Sequence, residues 1–293
     1  MVHCRERGSE LYIGDGAHMI LHEQGSAAQI AGVTISTIPN NPDGTFSLKT
    51  LKMRLRNPRN VHDPISRMIA VENTMNGKVV PMSWLKEVVK FGKEHGLKVH
   101  LDGARLWHAA VATNTPIKEF AEGFDSMTFC LSKLGAPAGS MLCGSKEFIF
   151  QARRARKVLG GGMRQLGILA AAALVALGNV PKLIDDHRHA KSMMKAVNSM
   201  GSDIFWVDPI DAQTNMAWIE VKETATVNAK KFSQRLARVE DNHDDDQARV
   251  LAWEVLPNKI RLVYHIDVTD EQAEAAERKV RYVIREMDPK FRI

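Results

Sequence analysis

Two side chains in this sequence stand where α/β proteins do their chemistry. Asp102 closes the apolar run Leu97–Leu101 (LKVHL), and Lys133 follows Met127–Leu131 (MTFCL) after one serine. If both runs are strands of one parallel sheet, both side chains emerge at carboxyl ends of strands, the edge along which such sheets place their sites. A lysine and a carboxylate on that edge suit pyridoxal 5'-phosphate. The amine forms a Schiff base with the cofactor's aldehyde, and the carboxylate keeps the pyridine nitrogen protonated so that the ring accepts electrons. Spacing alone is met more simply by a surface lysine and a strand-end aspartate in an ordinary ion pair, so the words around them have to decide.

Other clusters point less far. Asp185, Asp186, His187, Arg188 and His189 include metal-ligating types, yet such a run within a helix reads as an exposed polar face, and no metal site is expected. His22-Glu23 lacks the second histidine at helical spacing that a zinc-protease motif needs. The acidic stretch Glu240–Asp246 reads as a solvated loop. Cys130 and Cys143 sit in apolar stretches and read as buried, inert thiols. With Cys4 they make three cysteines and no CxxC pair, too few for a disulfide framework and suited to a reducing compartment.

The elements that must carry Asp102 and Lys133 are well marked. At 44% hydrophobic and 25% charged residues, the 293-residue chain has ample material for a core, which excludes disorder, collagen and coiled coil as descriptions of the whole. Val33–Ile38 and Arg67–Glu72 read as strands, with turn chemistry at Pro39–Thr45. Ser83 is the expected N-cap of a helix that sets Leu85, Val88, Val89 and Phe91 on one face and Lys86, Glu87, Lys90 and Lys93 on the other. Gly96 ends that helix and the next strand starts at once, completing a βαβ unit that closes at Asp102. Met163–Leu177 reads as an Ala-rich helix, apolar almost all round and therefore central. After Gly178 and Pro181 the texture changes to helices near Lys182–Met200, Ala229–Leu236 and Asp270–Met287, with strands at Ile204–Val207, Met216–Val221 and Ile260–His265. We therefore expect an α/β large domain over 1–180 and a smaller α+β domain over 181–293.

Several partners are unexpected from composition. The net charge of +6 is dispersed; the likeliest basic cluster, Arg56–Arg67, is broken by prolines and an aspartate, and no nucleic-acid-binding signature occurs. The opening MVHCRERGSE lacks the apolar core of a signal peptide, and the longest apolar run, Ile168–Leu177, is shorter than the roughly 20 residues that span a bilayer. A cytoplasmic protein that touches neither membrane nor nucleic acid is expected.

The words around the two residues are specific. His100-Leu101-Asp102-Gly103-Ala104-Arg105 and Ser132-Lys133-Leu134-Gly135-Ala136-Pro137 closely resemble the aspartate and lysine motifs of the low-specificity L-threonine aldolases. The likeness continues through Glu72-Asn73-Thr74, Arg156-Lys157, Gly160–Gln165 (GGGMRQ), Thr214-Asn215-Met216, Ile260–Val263, His265 and Asp267-Val268, in the family's order. It implies the aspartate-aminotransferase-like fold of the fold type I pyridoxal-phosphate enzymes, with a mostly parallel sheet in the large domain. It also implies cleavage of L-threonine, L-allo-threonine and related β-hydroxy amino acids to glycine and an aldehyde.

Roles follow by the same resemblance. Lys133 would be the Schiff-base lysine, Asp102 the partner of the pyridine nitrogen, and His18, in GDGAHMILHEQG, the histidine stacked over the ring. Arg105 and Arg261 match the arginines that grip the substrate carboxylate, a task suited to a planar fork of donors. Arg164 and the amides around Gly160–Gly162 match a positive region near the phosphate, which in an assembly could serve a neighbouring subunit. Lys157 and His62 match positions near the substrate hydroxyl, and His62 is the candidate for removing its proton. A homodimer or homotetramer is implied.

The departures are equally concrete. The family has an Arg-Ser-Asp-Thr-type stretch and a Ser-Gly-Thr-type turn that cradle the phosphate ahead of the region where this sequence opens, and this sequence shows neither. Leu134 stands where a glycine is usual after the lysine, Met75 where a histidine is usual, and Tyr264 where a threonine is usual. Two alternatives to an active aldolase therefore stand beside it: an impaired, non-enzymatic partner of complete subunits, and a related β-eliminating lyase, which GGGMRQ fits less well.

Overall fold

The first strand, β1 (Ser9–Gly14), is buried at every position, so its sequence shows none of the alternation by which a strand announces itself. It belongs to a computed structural model that describes residues 1–224, 226–256 and 258–291, in which the chain divides into two units, Met1–Gly178 and Asn179–Ile293. In the first unit β1 is followed by the short helices α1 (His18–Leu21) and α2 (Ser26–Gln29), strand β2 (Thr34–Ile38) and α3 (Leu48–Arg54). Then come β3 (Ile65–Glu72), α4 (Met82–Glu94), β4 (Lys98–Gly103), α5 (Leu106–Thr113), α6 (Ile117–Phe120) and β5 (Ser126–Cys130). The unit closes with β6 (Ser140–Gly144), α7 (Lys146–Val158) and α8 (Gly167–Leu177). The strands form one sheet in the order β2-β1-β3-β4-β5-β6, with every pair parallel except β5 and β6. This is the mostly parallel α/β sheet that the sequence implies.

Helix α4 presents Leu85, Val88, Val89 and Phe91 to the sheet as its periodicity requires, although it starts one residue before Ser83, with Pro81 in the capping position. Its apolar face joins Tyr12, Ile69, Leu101 and Leu106 in the core beneath β1, β3 and β4. Gly103 shows how closely the strands pack. A Cβ there would lie 2.5 Å from the Thr128 carbonyl oxygen, on a backbone held in the β4–β5 pair. Gly103→Ala is expected to cost about 1–3 kcal/mol of unfolding free energy, whereas Gly167→Ala, which meets nothing within 4 Å, should be close to neutral. Denaturant unfolding of the two variants checks this, and equal midpoints would contradict the packing account.

The Ala-rich helix is not central. α8 buries only Ala173 and Ala176, while Ile168, Leu174 and Val175 are each more than 70% exposed, and α7 buries no residue at all. The first unit supplies nothing that covers these faces, so the all-apolar helix forms an exposed surface rather than a core. The thiols also differ from expectation: Cys4 is buried, while Cys130 and Cys143 are only half-buried. Within Arg56–Arg67, Arg56 pairs with the fully buried Glu10 at 2.7 Å and Arg67 with Glu6.

The second unit packs α9 (Leu183–Ser199), α10 (Ala229–Leu236) and α11 (Asp270–Met287) on an antiparallel sheet. Its strands are β7 (Phe205–Trp206), β8 (Met216–Val221), β9 (Trp253–Leu256) and β10 (Lys259–Val263), in the order β7-β8-β10-β9. Two readings of polar sequence change here. Asp186, His187 and His189 are buried rather than exposed, with His189 Nε2 2.7 Å from Asp270 Oδ1. The acidic stretch is exposed from Glu240 to Asp244, as expected, but fastened at its end by Asp246. Asp246 is fully buried; it takes Arg235 Nη1 at 2.8 Å and Lys279 Nζ on Oδ1, and the amides of Glu240 and Asp241 on Oδ2. Burial opposes that charge, but the two cations hold the carboxyl well below the usual range.

Candidate active site

Because β1, β3, β4 and β5 run parallel, their carboxyl ends share one edge of the sheet. That edge receives Gly14 and the turn to His18, then Glu72, then Asp102, then the short turn Ser132–Leu134 that carries Lys133. In register, Glu72 lies opposite Asp102, and Asp102 opposite Thr128. Asp102 thus sits between Glu72 on one side and the strand leading to Lys133 on the other. Its Oδ1 accepts the Ala104 amide at 3.1 Å, which orients the carboxylate at the strand end. The ordinary ion pair does not form. Among the described residues Lys133 makes neither a hydrogen bond nor an ion pair, so a partly exposed primary amine is left available beside the Asp102 strand.

The other predicted residues are distributed as follows. His18 opens α1 with its ring half-exposed and its Nε2 2.8 Å from Glu23 Oε1. Arg105 stands at the start of α5, three residues past Asp102 and half-buried. Lys157 and Arg164 are exposed around the loop between α7 and α8. Gly162 lies against the Lys157 side chain, 2.8 Å from its Cδ to where a Cβ would stand. The amides of Gly160 and Gly161 are already given to Lys157 O and Arg156 O, closing the end of α7, so they are not open to a phosphate. His62 is exposed in the turn before β3. With eight residues of β3 intervening, it lies about 25 Å from the edge that carries Asp102. The structure therefore does not bring His62 to Lys133 within one chain.

Arg261 lies on β10 in the second unit. Its guanidinium is 4.7 Å from the Trp253 ring centre and 5.8 Å from that of Trp218, and its Nε has no hydrogen-bond partner among the described residues. Burial lowers its pKa, yet it has no carboxylate of its own. An Arg held between aromatic faces with a donor to spare is suited to an incoming carboxylate. Asn215 supports this region by donating Nδ2 to Tyr264 O at 2.7 Å and accepting the Tyr264 amide at 2.9 Å.

Sequence reasoning missed one group at the edge and one at the opposite end of β5. The first is Glu72, which it used only as part of a motif. Its Oε2 accepts the His18 amide at 2.8 Å. Burial pushes its pKa up to about 8, against the His18 hydrogen bond and with help from Asp102, while Arg105 pulls the other way. The second is Ser126, whose Oγ lies 2.7 Å from His100 Nδ1 and 2.8 Å from His3 Nε2. Burial lowers the pKa of both histidines, that of His3 to about 4. Glu72 was findable by its place at a strand end opposite Asp102, but Ser126 begins a strand and carries no such signal.

The raised pKa of Glu72 has a measurable sign. The folded chain keeps this proton where an unfolded glutamate, near 4.5, has lost it. The associated stability is therefore complete below about pH 4.5 and is lost as pH rises through about 8. Glu72→Gln, neutral throughout, should gain in melting temperature over the parent as pH goes from 5 to 9, and a difference independent of pH would contradict the assignment.

Comparison with known proteins agrees with this geometry. The family model described as "Beta-eliminating lyase" matches residues 1–223. The chain is 40% identical over 272 residues to the low specificity L-threonine aldolase of Escherichia coli K12, covering 92% of this chain and 75% of that protein. It is 38% identical over 275 residues to low-specificity L-threonine aldolase 1 of Arabidopsis thaliana, covering 92% and 74%. The chain belongs to the low-specificity L-threonine aldolase family. Its fold is shared with the solved threonine aldolase of Leishmania major, with a TM-score of 0.77 at 19% identity over 97% of this chain and 80% of that one.

Enzymes of this family use pyridoxal phosphate, and the residues present fit it. The unpaired Lys133 amine, the Asp102 carboxylate oriented by Ala104 and the exposed His18 imidazole share one edge, and each offers the chemistry the cofactor asks for. Met75, where a histidine was expected, packs in the first unit's core with Phe46 and Val80, and Tyr264, where a threonine was expected, is buried in the core of the second unit.

Proposed function

We propose that the chain is a carbon–carbon lyase that cleaves L-threonine, L-allo-threonine and related β-hydroxy amino acids to glycine and an aldehyde. The observation that carries this reading is the unpaired Lys133 beside Asp102 on the carboxyl edge of a sheet whose family is the threonine aldolases. Bound pyridoxal phosphate supplies the electron sink for breaking the Cα–Cβ bond. Lys133 would hold the cofactor through its aldehyde, Asp102 would pair with the pyridine nitrogen and keep a proton there, and His18 would pack against the cofactor and help exclude water. By family position Arg105 in the first unit and Arg261 in the second are each suited to a substrate carboxylate as a planar fork, and Lys157 and Arg164 would contribute positive charge. The β-hydroxyl proton must leave as the aldehyde forms, and the vacated Cα must regain a proton to give glycine. His62, at the far end of β3, is not placed to take the hydroxyl proton within its own chain.

The exposed apolar faces of α7 and α8 support self-association, and we propose a homodimer or homotetramer in the cytoplasm. Among the described residues no single helix is long and apolar enough to cross a membrane. The function is tested by incubating the purified chain with pyridoxal phosphate and L-threonine. Glycine and acetaldehyde in equal amounts are expected. Ammonia with 2-oxobutanoate would instead mark an eliminating lyase, and no turnover under saturating cofactor would contradict an active enzyme.

A further inference from the structure

We propose that Glu72 is a positioning residue of this site: from the end of β3 it accepts the backbone amide of His18 and so fixes the segment that presents the imidazole to the cofactor ring. The inference rests on the function proposed above. α1 is a single turn, and Ala17 before it has no side chain able to accept the amides that every helix start leaves unpaired. The first of them reaches across 54 residues of sequence to Glu72 Oε2 at 2.8 Å. The rest of the turn is held by Asn40, whose Oδ1 accepts the Gly16 amide at 2.9 Å while its own amide donates to Asp15 Oδ1 at 2.9 Å. Gly14 is part of the same arrangement, because a Cβ there would lie 2.3 Å from Asn40 Oδ1. Asn40 therefore holds the turn where it leaves β1, and Glu72 holds it where the imidazole begins.

The placement of Glu72 gives this contact its meaning. It is in register with Asp102 on the adjacent strand, so the acceptor for His18 and the partner of the pyridine nitrogen occupy neighbouring strand ends. The ring-covering group and the nitrogen-pairing group are thereby referred to one rigid frame. The charged and titratable groups facing Glu72 are Asp102 and Arg105 on the β4 side, and the His18 amide on the other. An amide oxygen at the same reach could replace the carboxylate as acceptor, whereas a side chain one methylene shorter could not.

Glu72→Ala, Glu72→Gln and Glu72→Asp distinguish these possibilities. In the cofactor-free chain, amide hydrogen exchange at His18 should quicken by about tenfold or more in the alanine variant and stay near the parent rate in the glutamine variant. In the cofactor-loaded chain, the alanine variant should keep bound cofactor but lose most of its visible circular dichroism. Its kcat should fall about tenfold with KM changed less than about threefold, and glutamine should restore both signals. The double variant E72A/H18A should be no worse than H18A, because Glu72 acts through His18. If the alanine variant does not fold, E72D takes its place and should show the same losses. Parent-like exchange and dichroism in the folded E72A or E72D variant, or additive losses in the double variant, would overturn the proposal. A parent chain that cleaves no threonine, while His18 exchange still responds to Glu72, would refute the proposed function and leave this contact standing.

Discussion

Lys133→Ala is expected to lose at least about 10⁴-fold in the rate of threonine cleavage, which corresponds to more than about 5 kcal/mol of transition-state stabilisation. The loss follows from position. Lys133 is held by a short turn at the end of β5, one strand from Asp102, and its amine has no partner among the described residues that would explain it otherwise. Its removal should leave the fold intact, because a half-exposed side chain without hydrogen bonds contributes within about 0.5 kcal/mol to stability. Steady-state kinetics beside thermal unfolding test both halves. A variant that unfolds early would mark Lys133 as structural, and one that turns over normally would remove it from the site.

Asp102→Ala should be the next most damaging change, with kcat reduced about 10³-fold, or some 4 kcal/mol, while cofactor content stays near one per chain. The carboxylate is oriented by the Ala104 amide and lies between Glu72 and Thr128 in register. Its work is to keep the pyridine nitrogen protonated, which matters when negative charge arrives in the ring and little before that. Cofactor absorbance should therefore survive where turnover does not. Near-normal turnover would show that Asp102 is only a strand-end residue.

How far these assignments were legible in sequence depended on where each residue's signal lies. Asp102 and Lys133 were readable because they terminate apolar runs, and a parallel sheet converts that local fact into a shared edge. The α4 face was readable from its 3.6-residue spacing. β1 was not, because a strand buried on both faces shows no alternation. β6 and α7 were not read at all, and α7 buries none of its residues within the chain. The Ala-rich helix misled in the opposite sense, since uniform apolarity gives composition but not which surface covers it. Asp186, His187 and Asp246 looked solvated because partners supplied from distant sequence, such as Arg235 and Lys279, cannot be read locally. Glu72 belonged to the same class: its bond to His18 exists only once β1 and β3 are side by side.

The central claim is that Lys133 carries the cofactor, and the most direct measurement is reduction of the cofactor-loaded chain with borohydride followed by peptide mapping. We predict one pyridoxyl group per chain, on the peptide containing Lys133, with the absorbance of the bound cofactor lost on reduction and absent from Lys133→Ala. Label on another lysine, or an unchanged cofactor spectrum in Lys133→Ala, would contradict it.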